Sequence, residues 1–288
     1  MTIEEGKNRF TRELSGLYDV QETAELYYIA VAEVLQLTRM EVLLRNGDWI
    51  SNEQDDQLNV ILNQLKAGAP VQHIIKKSWF YGLLFKVTNK VLIPRPETEE
   101  LVNLIIKAEE STSRQPLRLL DIGTGSGCIS IALKVNLPAL AVTAMDISDE
   151  AIEIARYNAL GNSAAIRFLL ADIRSYQSAD RYEIIVSNPP YVMDSERESM
   201  LPNVLEHEPH LALFVPDSDP LLFYVAIADF ARHHLIPMGR LYLEINERLG
   251  KEMVEMLTSK GFTKVILRKD MQGKDRMISC VRPGQFLG

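Results

Sequence analysis

Apolar and polar positions follow a helical period over the first part of the chain. In residues 1–75, apolar side chains recur every three or four positions, and residues whose side chains cap helices stand at the breaks. Three helix starts are predicted on this basis, at Asp19, at Thr38 and at Ser51 or Asn52. The pattern therefore predicts a small helical bundle as an N-terminal domain over residues 1–75.

The pattern changes after the bundle, where aromatic and β-branched residues become frequent. Residues 79–93 surround Asn89-Lys90, a pair that suits a tight turn, so a β-hairpin is predicted with its turn at Asn89 and Lys90. We therefore assign residues 76–95 to a β-hairpin linker and residues 96–288 to a second domain.

Short apolar runs alternate with helical segments through this second domain. Strands are predicted at residues 119–122, 141–145, 166–171, 184–186, 239–245, 263–267 and 277–281. The alternation predicts an α/β domain with a Rossmann-like, mostly parallel, seven-stranded sheet, in which the last two strands are antiparallel because a short loop joins them. Asp219-Pro220 is predicted to open a helix, and the long irregular stretch before it is predicted to help form a substrate pocket.

Asn188-Pro189-Pro190-Tyr191 follows one of the predicted strands directly. The lone pair of an amide nitrogen is delocalised, so an enzyme that alkylates it must hold both N–H groups; the Asn188 oxygen and the Pro189 carbonyl can each accept one hydrogen bond. Pro190 stiffens the backbone, and Tyr191 offers a flat face to the planar group. The tetrapeptide resembles the signature of S-adenosylmethionine-dependent methyltransferases that act on such nitrogens. Taken alone, a Pro-Pro turn that ends a strand explains it equally well.

A glycine-rich turn follows the strand at 119–122 and precedes an amphipathic helix. A dinucleotide fingerprint needs a third Gly or Ala where Cys128 stands, so binding of NAD fits poorly. Glycines at alternate positions suit a ligand that lies directly on the backbone, as the adenosyl and methionine parts of S-adenosylmethionine would. The cofactor-binding residues predicted in this turn are Gly123, Thr124, Gly125, Ser126 and Gly127.

Acidic residues stand at the ends of the next two predicted strands. Asp146 can accept hydrogen bonds from both ribose hydroxyls. Asp172, or the backbone beside it, can contact the adenine amino group, and Ile173 can pack on the adenine ring. Each acid alone is better explained as a helix cap or a solvated loop residue. Together with Asp121 and Asn188 they form four strand ends with suitable chemistry, which favours a cofactor site that includes Asn188.

Composition limits the classes of protein that fit. The chain has 288 residues, 47% hydrophobic and 24% charged, with no apolar run of membrane-spanning length and no signal peptide at its start, so a cytoplasmic protein is expected. Its two cysteines, Cys128 and Cys280, have no metal-like spacing and are predicted to be buried, so no metal is expected. A net charge of −8 disfavours a broad surface for nucleic acid and suits a basic protein partner.

Several segments carry a resemblance that extends over nearly the whole chain. They are Pro70-Val71-Gln72-His73-Ile74, Ile93-Pro94-Arg95-Pro96-Glu97-Thr98-Glu99, the turn at 121–127, Asn188-Pro189-Pro190-Tyr191, Glu208-Pro209-His210-Leu211-Ala212-Leu213 and Asp270-Met271-Gln272-Gly273-Lys274-Asp275-Arg276. In these segments the chain resembles the PrmC/HemK family, the glutamine N5-methyltransferases that modify class I peptide-chain release factors.

The resemblance implies a substrate and a reaction. The acceptor would be the side-chain amide of the Gln in a Gly-Gly-Gln loop of the release factor, oriented by Asn188 and the Pro189 carbonyl. The methyl donor would be S-adenosyl-L-methionine and its product S-adenosyl-L-homocysteine. The segment at 94–99 would fold over the cofactor. Ile173 departs from members that carry an aromatic residue there. We expect a monomer whose residues 1–75 dock the protein substrate; the alternative is that they only cover apolar surface of the second domain.

Two other substrates remain open from the residues themselves. The same site would serve a methyltransferase that modifies a glutamine of a ribosomal protein. An enzyme that methylates amino groups of DNA or RNA bases shares the segment at 188–191, but the negative net charge and the segment at 94–99 argue against it. A non-catalytic binding module is the weakest alternative, because every catalytic element is present.

Overall fold

The computed structural model describes residues 1–110, 117–200 and 202–284. The chain forms two compact units, of which the first contains Met1–Lys77 and the helix at Pro202–His207, and the second contains Ser78–Met200 and the chain from Glu208 onward. The hairpin falls within the second unit except for its first residue, Lys77. The division into residues 1–75, 76–95 and 96–288, each with its own role, stays a prediction.

The first unit is a helical bundle, as its apolar period predicted. Its first helices are α1 (Ile3–Leu14), α2 (Val20–Leu35), α3 (Arg39–Leu44), α4 (Asn52–Lys66) and α5 (Val71–Ile75). Asp19, Thr38 and Ser51 are the N-caps of α2, α3 and α4, and each side chain accepts a hydrogen bond from a backbone N–H in the first turn, which confirms the predicted helix starts. The buried core of the bundle includes Phe10, Leu14, Tyr27, Ala30, Leu58 and Leu65.

The remaining elements contain all the strands that the described ranges hold. In chain order they are β1 (Lys77–Phe80), β2 (Leu83–Lys86), α6 (Pro96–Glu110), β3 (Arg118–Ile122), α7 (Cys128–Asn136), β4 (Ala141–Asp146), α8 (Asp149–Gly161), β5 (Ile166–Leu170), β6 (Tyr182–Ser187), β7 (Val192–Met193), α9 (Pro202–His207), β8 (Phe214–Val215), α10 (Leu222–His234), β9 (Leu235–Glu244), α11 (Gly250–Ser259), β10 (Thr263–Lys269) and β11 (Asp275–Val281). No helix in the described ranges has both the length and the apolar character needed to cross a membrane.

The hairpin exists, but its predicted turn is wrong. β1 and β2 form a two-stranded sheet whose turn is Tyr81-Gly82, with φ of 50° and 74°. Two successive left-handed residues make a tight turn that matches the twist of the strands. Asn89-Lys90 forms a separate turn beyond β2. Tyrosine rarely occupies a left-handed position, so the true turn gave a weaker local signal than Asn89 did.

A seven-stranded sheet forms the centre of the second unit, in the order β10-β11-β9-β6-β3-β4-β5. The pairs from β9 to β5 are parallel, whereas β11 runs antiparallel to both β9 and β10. The predicted mostly parallel sheet with a final antiparallel pair is confirmed. Its inner strands are apolar because both faces are covered.

Alternate residues of each inner strand face opposite helical layers. Leu119 and Ile184 point to the side that holds α6, α7 and the hairpin, and Leu120 and Ile185 point to the side that holds α10 and α11. All four side chains are fully buried. This two-sided burial fixes the positions of the carboxyl ends of these strands and of the residues that follow them.

Two predicted boundaries in this unit are wrong. α10 begins at Leu222 rather than at Asp219-Pro220, which form a turn before it. β9 begins at Leu235 instead of residue 239, because the chain bulges: Tyr182 pairs with Leu235, whereas Ile184 already pairs with Arg240. The bulge contains the proline at 237, which a regular inner strand would not accommodate.

Candidate active site

A cavity of about 400 Å³ lies at the carboxyl ends of β3, β4 and β6. The chain runs from β3 to β4 and β5 on one side of the sheet, and β6 and β9 lie on the other side, so the strand order reverses beside β3. Open α/β sheets bind ligands at such a reversal point. The volume is in the range of a small-molecule site.

The turn after β3 exposes bare backbone to this cavity. Gly123 and Gly125 line it with φ of 72° and 54°, and a Cβ added to either would meet no protein atom within 4 Å. The amides of Gly123 and Thr124 both donate to the carbonyl of Met145 at 2.9 Å, which ties the turn to β4. Thr124 and Ser126 line the cavity as well. A ligand can therefore lie directly on this backbone.

Gly127 has a different position from the other two glycines. It is the N-cap of α7, with φ of 82°, and is not among the described residues that line the cavity. A Cβ there would lie 2.9 Å from Ile131 Cδ1 and 3.2 Å from Ala155 Cβ. Its small size therefore serves the close packing of α7 against α8, while its predicted contact with the cofactor stays a prediction.

Asp146 lies at the end of β4 and lines the cavity. Its Oδ2 accepts the amide of Gly125 at 2.8 Å, and its Oδ1 accepts the amide of Ser148 at 3.0 Å. Burial raises the pKa of this carboxyl, and the two backbone donors oppose that effect. The carboxylate is fixed in orientation, and each oxygen retains a lone pair for a further donor.

Asp172 and Ile173 also line the cavity. The Asp172 carboxylate is held by Arg174, whose Nη2 is 2.6 Å from Oδ2 and whose Nε is 3.0 Å from both oxygens. The hydrogen bonds from Arg174 lower the pKa of this carboxyl. Ile173 lies with Phe223 and Ile227 on the apolar part of the wall. This part of the cavity suits a planar apolar ring edged by polar groups.

Asp121 stands one position before the end of β3, is fully buried, and does not line the cavity within the described residues. Its Oδ2 accepts the Thr124 hydroxyl at 2.7 Å, and its Oδ1 has no hydrogen-bond partner. Burial raises the pKa of Asp121 to about 7. Asp121 therefore supports the glycine turn through its hydrogen bond with Thr124.

Asn188, Pro189 and Pro190 follow β6 and line the same cavity as the glycine turn. The Asn188 Nδ2 donates to the hydroxyl of Thr98 at 3.2 Å. Tyr191, by contrast, is not among the described residues that line the cavity. Its hydroxyl donates to Glu244 Oε1 at 3.0 Å, and burial, with the adjacent Glu244, raises the pKa of that hydroxyl.

Two polar residues beside Asn188 were not predicted as site residues. The Thr98 hydroxyl donates to Glu244 Oε2 at 2.7 Å, and both residues are buried. Burial raises the pKa of Glu244. Thr98 also lines the cavity, within the segment at 94–99. Glu244 is the last residue of β9, so an acid at a predicted strand end, the signal that identified Asp146, could have found it.

The segment at 93–98 is joined to the segment that begins at Glu208. The Glu208 carboxylate accepts the backbone amide of Ile93 at 3.2 Å and pairs with the Arg95 guanidinium. Glu208 is buried, while Arg95, Pro209 and Leu211 line the cavity. This ion pair therefore fixes two walls of the cavity against each other.

Comparisons with known proteins agree with this geometry. The profile described as Methyltransferase small domain matches residues 101–210, and that of the PrmC N-terminal domain matches residues 8–75. The chain is 44% identical over 280 residues to Release factor glutamine methyltransferase of Flavobacterium psychrophilum, covering 96% of this chain and 98% of that one. The enzyme of the same name from Bacteroides thetaiotaomicron is 42% identical over 281 residues, with 96% and 100% covered.

A solved structure supports the fold alone. The crystal structure of a methyltransferase from Pyrococcus furiosus superposes with a TM-score of 0.51 at 20% identity, covering 80% of this chain and 98% of that one.

The sheet order, the glycine turn after β3 and the Asn-Pro-Pro-Tyr segment after β6 define a Rossmann-like, S-adenosylmethionine-dependent methyltransferase. Identity over nearly the whole length then decides the branch of this class. The chain belongs to the release factor glutamine methyltransferase family, that is, to the protein-(glutamine-N5) methyltransferases. The resemblance in the sequence motifs is confirmed.

Proposed function

We propose that this chain transfers a methyl group from S-adenosyl-L-methionine to N5 of the Gln in the Gly-Gly-Gln motif of class I peptide-chain release factors, releasing S-adenosyl-L-homocysteine. One observation carries the proposal: Asn188 and Pro189 lie in the same cavity as the open backbone of Gly123 and Gly125. An amide acceptor and a methyl donor can therefore occupy adjacent halves of one site.

The residues of the cavity fit the parts of this cofactor. The bare backbone at Gly123 and Gly125 would hold the methionine portion, and Asp146, with a lone pair left on each oxygen, would accept the ribose hydroxyls. Ile173 and Phe223 would pack against the adenine ring. When bound, S-adenosylmethionine supplies a sulfonium-linked methyl group, which is already a good electrophile.

Asn188 and Pro189 would do the positioning work on the glutamine side. The Asn188 Oδ1 and the Pro189 carbonyl each accept one N–H of the substrate amide, so its nitrogen is turned toward the methyl group. These hydrogen bonds strengthen as the nitrogen becomes partly positive in the transition state, which is where they accelerate the reaction. The nitrogen gains a methyl group and loses one proton, which leaves to solvent or by way of Asn188. No strong base is needed.

The first unit would select the protein substrate. None of its described residues lines the cavity, and one glutamine side chain offers little surface for selection. A second binding surface on the same chain raises the effective concentration of the Gly-Gly-Gln loop at the site. A net charge of −8 favours a basic partner. We therefore propose the first unit as the docking surface for the release factor.

Methyl transfer tests this function directly. Purified enzyme and labelled S-adenosylmethionine are incubated in parallel with a class I release factor, the same factor with Gly-Gly-Gln changed to Gly-Gly-Ala, ribosomal proteins and DNA. We expect label on the intact factor and none on the changed factor. Label on ribosomal protein or DNA in preference to the release factor would overturn the proposal.

A further inference from the structure

We propose that Thr98 and Glu244 form a positioning relay that fixes which end of the Asn188 side chain faces the cavity. The inference rests on the proposed function and deepens it. An Asn side chain is nearly symmetric in shape, and only its oxygen can accept a hydrogen bond from the substrate amide. With the amide reversed, the NH2 group would face the N–H groups of the substrate, and no hydrogen bond would form.

Glu244 sets the direction of the hydrogen bonds in the relay, that is, which group donates and which accepts. Burial raises the pKa of this carboxyl, and the hydroxyls of Thr98 and Tyr191, with the charge of Arg276, oppose that effect and favour the carboxylate. A carboxylate has only acceptor atoms, and its Oε2 lies 2.7 Å from the Thr98 hydroxyl. Its Oε1 receives the Tyr191 hydroxyl at 3.0 Å. Glu244 is 1% exposed, so water does not compete for these bonds. The single hydroxyl proton of Thr98 is therefore committed to Glu244.

Thr98 in turn decides which end of the Asn188 amide faces it. Having donated its proton, the hydroxyl offers only lone pairs, so the Asn188 group 3.2 Å away must be the donor Nδ2. The other end of the planar amide, Oδ1, is then the end left to the cavity that Asn188 lines. In this way the buried Glu244 carboxylate acts through the Thr98 hydroxyl and makes Asn188 present its Oδ1 to the substrate.

The same acid also holds the backbone that follows Asn188. The Tyr191 hydroxyl is bound to Glu244, and Asn246 Nδ2 donates to the Tyr191 carbonyl at 3.0 Å. Tyr191 is thereby assigned to holding the turn rather than to contact with the substrate. Thr98 lies 146 positions from Glu244 in sequence, so the relay joins α6 to the end of β9 across the site.

The test separates positioning from a structural role. Thr98→Val keeps the shape of the side chain and removes the hydroxyl, and Thr98→Ser keeps the hydroxyl. We expect Thr98→Val to lower the single-turnover rate on a Gly-Gly-Gln peptide about tenfold or more, with S-adenosylmethionine affinity within about twofold of wild type, and Thr98→Ser to restore most of the rate. A wild-type rate in Thr98→Val would overturn the relay.

A double-mutant cycle shows whether Thr98 acts through Asn188. Asn188→Ala should lower the rate about a hundredfold, and adding Thr98→Val to it should cost no more than about twofold further, because the residue being positioned is gone. Thr124→Val is the matched control: its hydroxyl also donates to a buried carboxylate, that of Asp121 at 2.7 Å, but no hydrogen bond links it to Asn188. Its effect should be equal in both backgrounds.

The outcomes distinguish this inference from the proposed function. Failure of the wild-type enzyme to methylate the peptide and the intact factor would overturn the function itself. An active wild type, with Thr98→Val lowering the rate by the same factor with and without Asn188→Ala, would overturn the relay alone.

Discussion

At the scale of single residues, the role proposed for Asp146, to bind the ribose of the cofactor, can be tested separately from methyl transfer. Its two oxygens are fixed by backbone amides of Gly125 and Ser148. We expect Asp146→Ala to weaken S-adenosylmethionine binding by about 1.5–3 kcal/mol, because the buried hydrogen bonds that we propose to the ribose would be lost. Asp146→Asn, which retains one acceptor oxygen, should lose less. Calorimetry that gives the wild-type affinity for Asp146→Ala would remove Asp146 from the cofactor site.

The raised pKa of Asp121 predicts how the free energy of unfolding depends on pH. Burial raises its pKa to about 7 from the ordinary 3.8, so folding favours its protonated form. Its contribution to stability is then complete below about pH 4 and is lost as the pH rises through about 7. Asp121→Asn keeps an oxygen for Thr124 but cannot ionise. The free energy of unfolding of wild type, relative to this variant, should fall by up to about 4 kcal/mol from pH 4 to pH 8.

Denaturant unfolding followed by circular dichroism at several pH values measures this difference. A difference between the two chains that does not change with pH would show that Asp121 is already ionised throughout the range.

Sequence alone could place the residues that end strands, but not their long-range partners. Asp146 and Asn188, which were singled out at predicted strand ends, both line the cavity. Thr98 was missed because its contact with Glu244 depends on how α6 packs over the sheet, which no local pattern encodes. Glu244 itself carries the same signal as Asp146, an acid at the end of a strand. Tyr191 lies outside the cavity lining because a buried acid, invisible in the motif itself, binds its hydroxyl.

At the scale of elements, periodicity predicted the sheet and the caps predicted the helix starts of the bundle. Prediction from the sequence failed where a local signal was weak or misleading: at the Tyr81-Gly82 turn, at the bulge in β9 and at the start of α10. At the bulge, the pairing of β9 with β6 decided the outcome. Such register depends on tertiary packing, which overrides local preference.

The pair between Arg95 and Glu208 allows an element-scale prediction with a matched control. Arg95→Ala leaves a buried carboxylate unpaired, which should cost about 3–5 kcal/mol of stability. It should also loosen two walls of the cavity and weaken cofactor binding. Arg240→Ala removes an equivalent partner from the buried Glu109, away from the cavity, where Arg240 Nη2 is 2.6 Å from Glu109 Oε2.

Both variants should lose stability in thermal unfolding, and only Arg95→Ala should lower S-adenosylmethionine affinity at a temperature where both are folded. Equal affinities in the two variants would contradict the role given to the Arg95 pair.

At the scale of the whole molecule, we propose that the first unit selects the protein substrate. Val20, Leu44 and Trp49 of that unit are 76%, 79% and 77% exposed, and such side chains are candidates for contact with a partner. We expect replacement by Ser of at least one of them to lower kcat/KM on the intact release factor tenfold or more, on the order of a single interface contact. The rate on a short Gly-Gly-Gln peptide should not change.

Leu160 and Met271 of the second unit are matched controls, because they are 82% and 86% exposed and do not line the cavity. Their replacement by Ser should change neither substrate's rate. If all three first-unit variants retain the wild-type kcat/KM on the intact factor, the docking surface is not formed by these residues.

The central claim is that this site methylates one particular nitrogen, and locating the methyl group tests it most directly. A class I release factor is treated with the enzyme and S-adenosylmethionine, digested, and the peptide that contains Gly-Gly-Gln is sequenced by tandem mass spectrometry. We expect a single added methyl group on the Gln side chain, with none after treatment with Asn188→Ala for the same short time. A methyl group on another residue of the factor, or an unmodified Gly-Gly-Gln peptide, would contradict the proposed function.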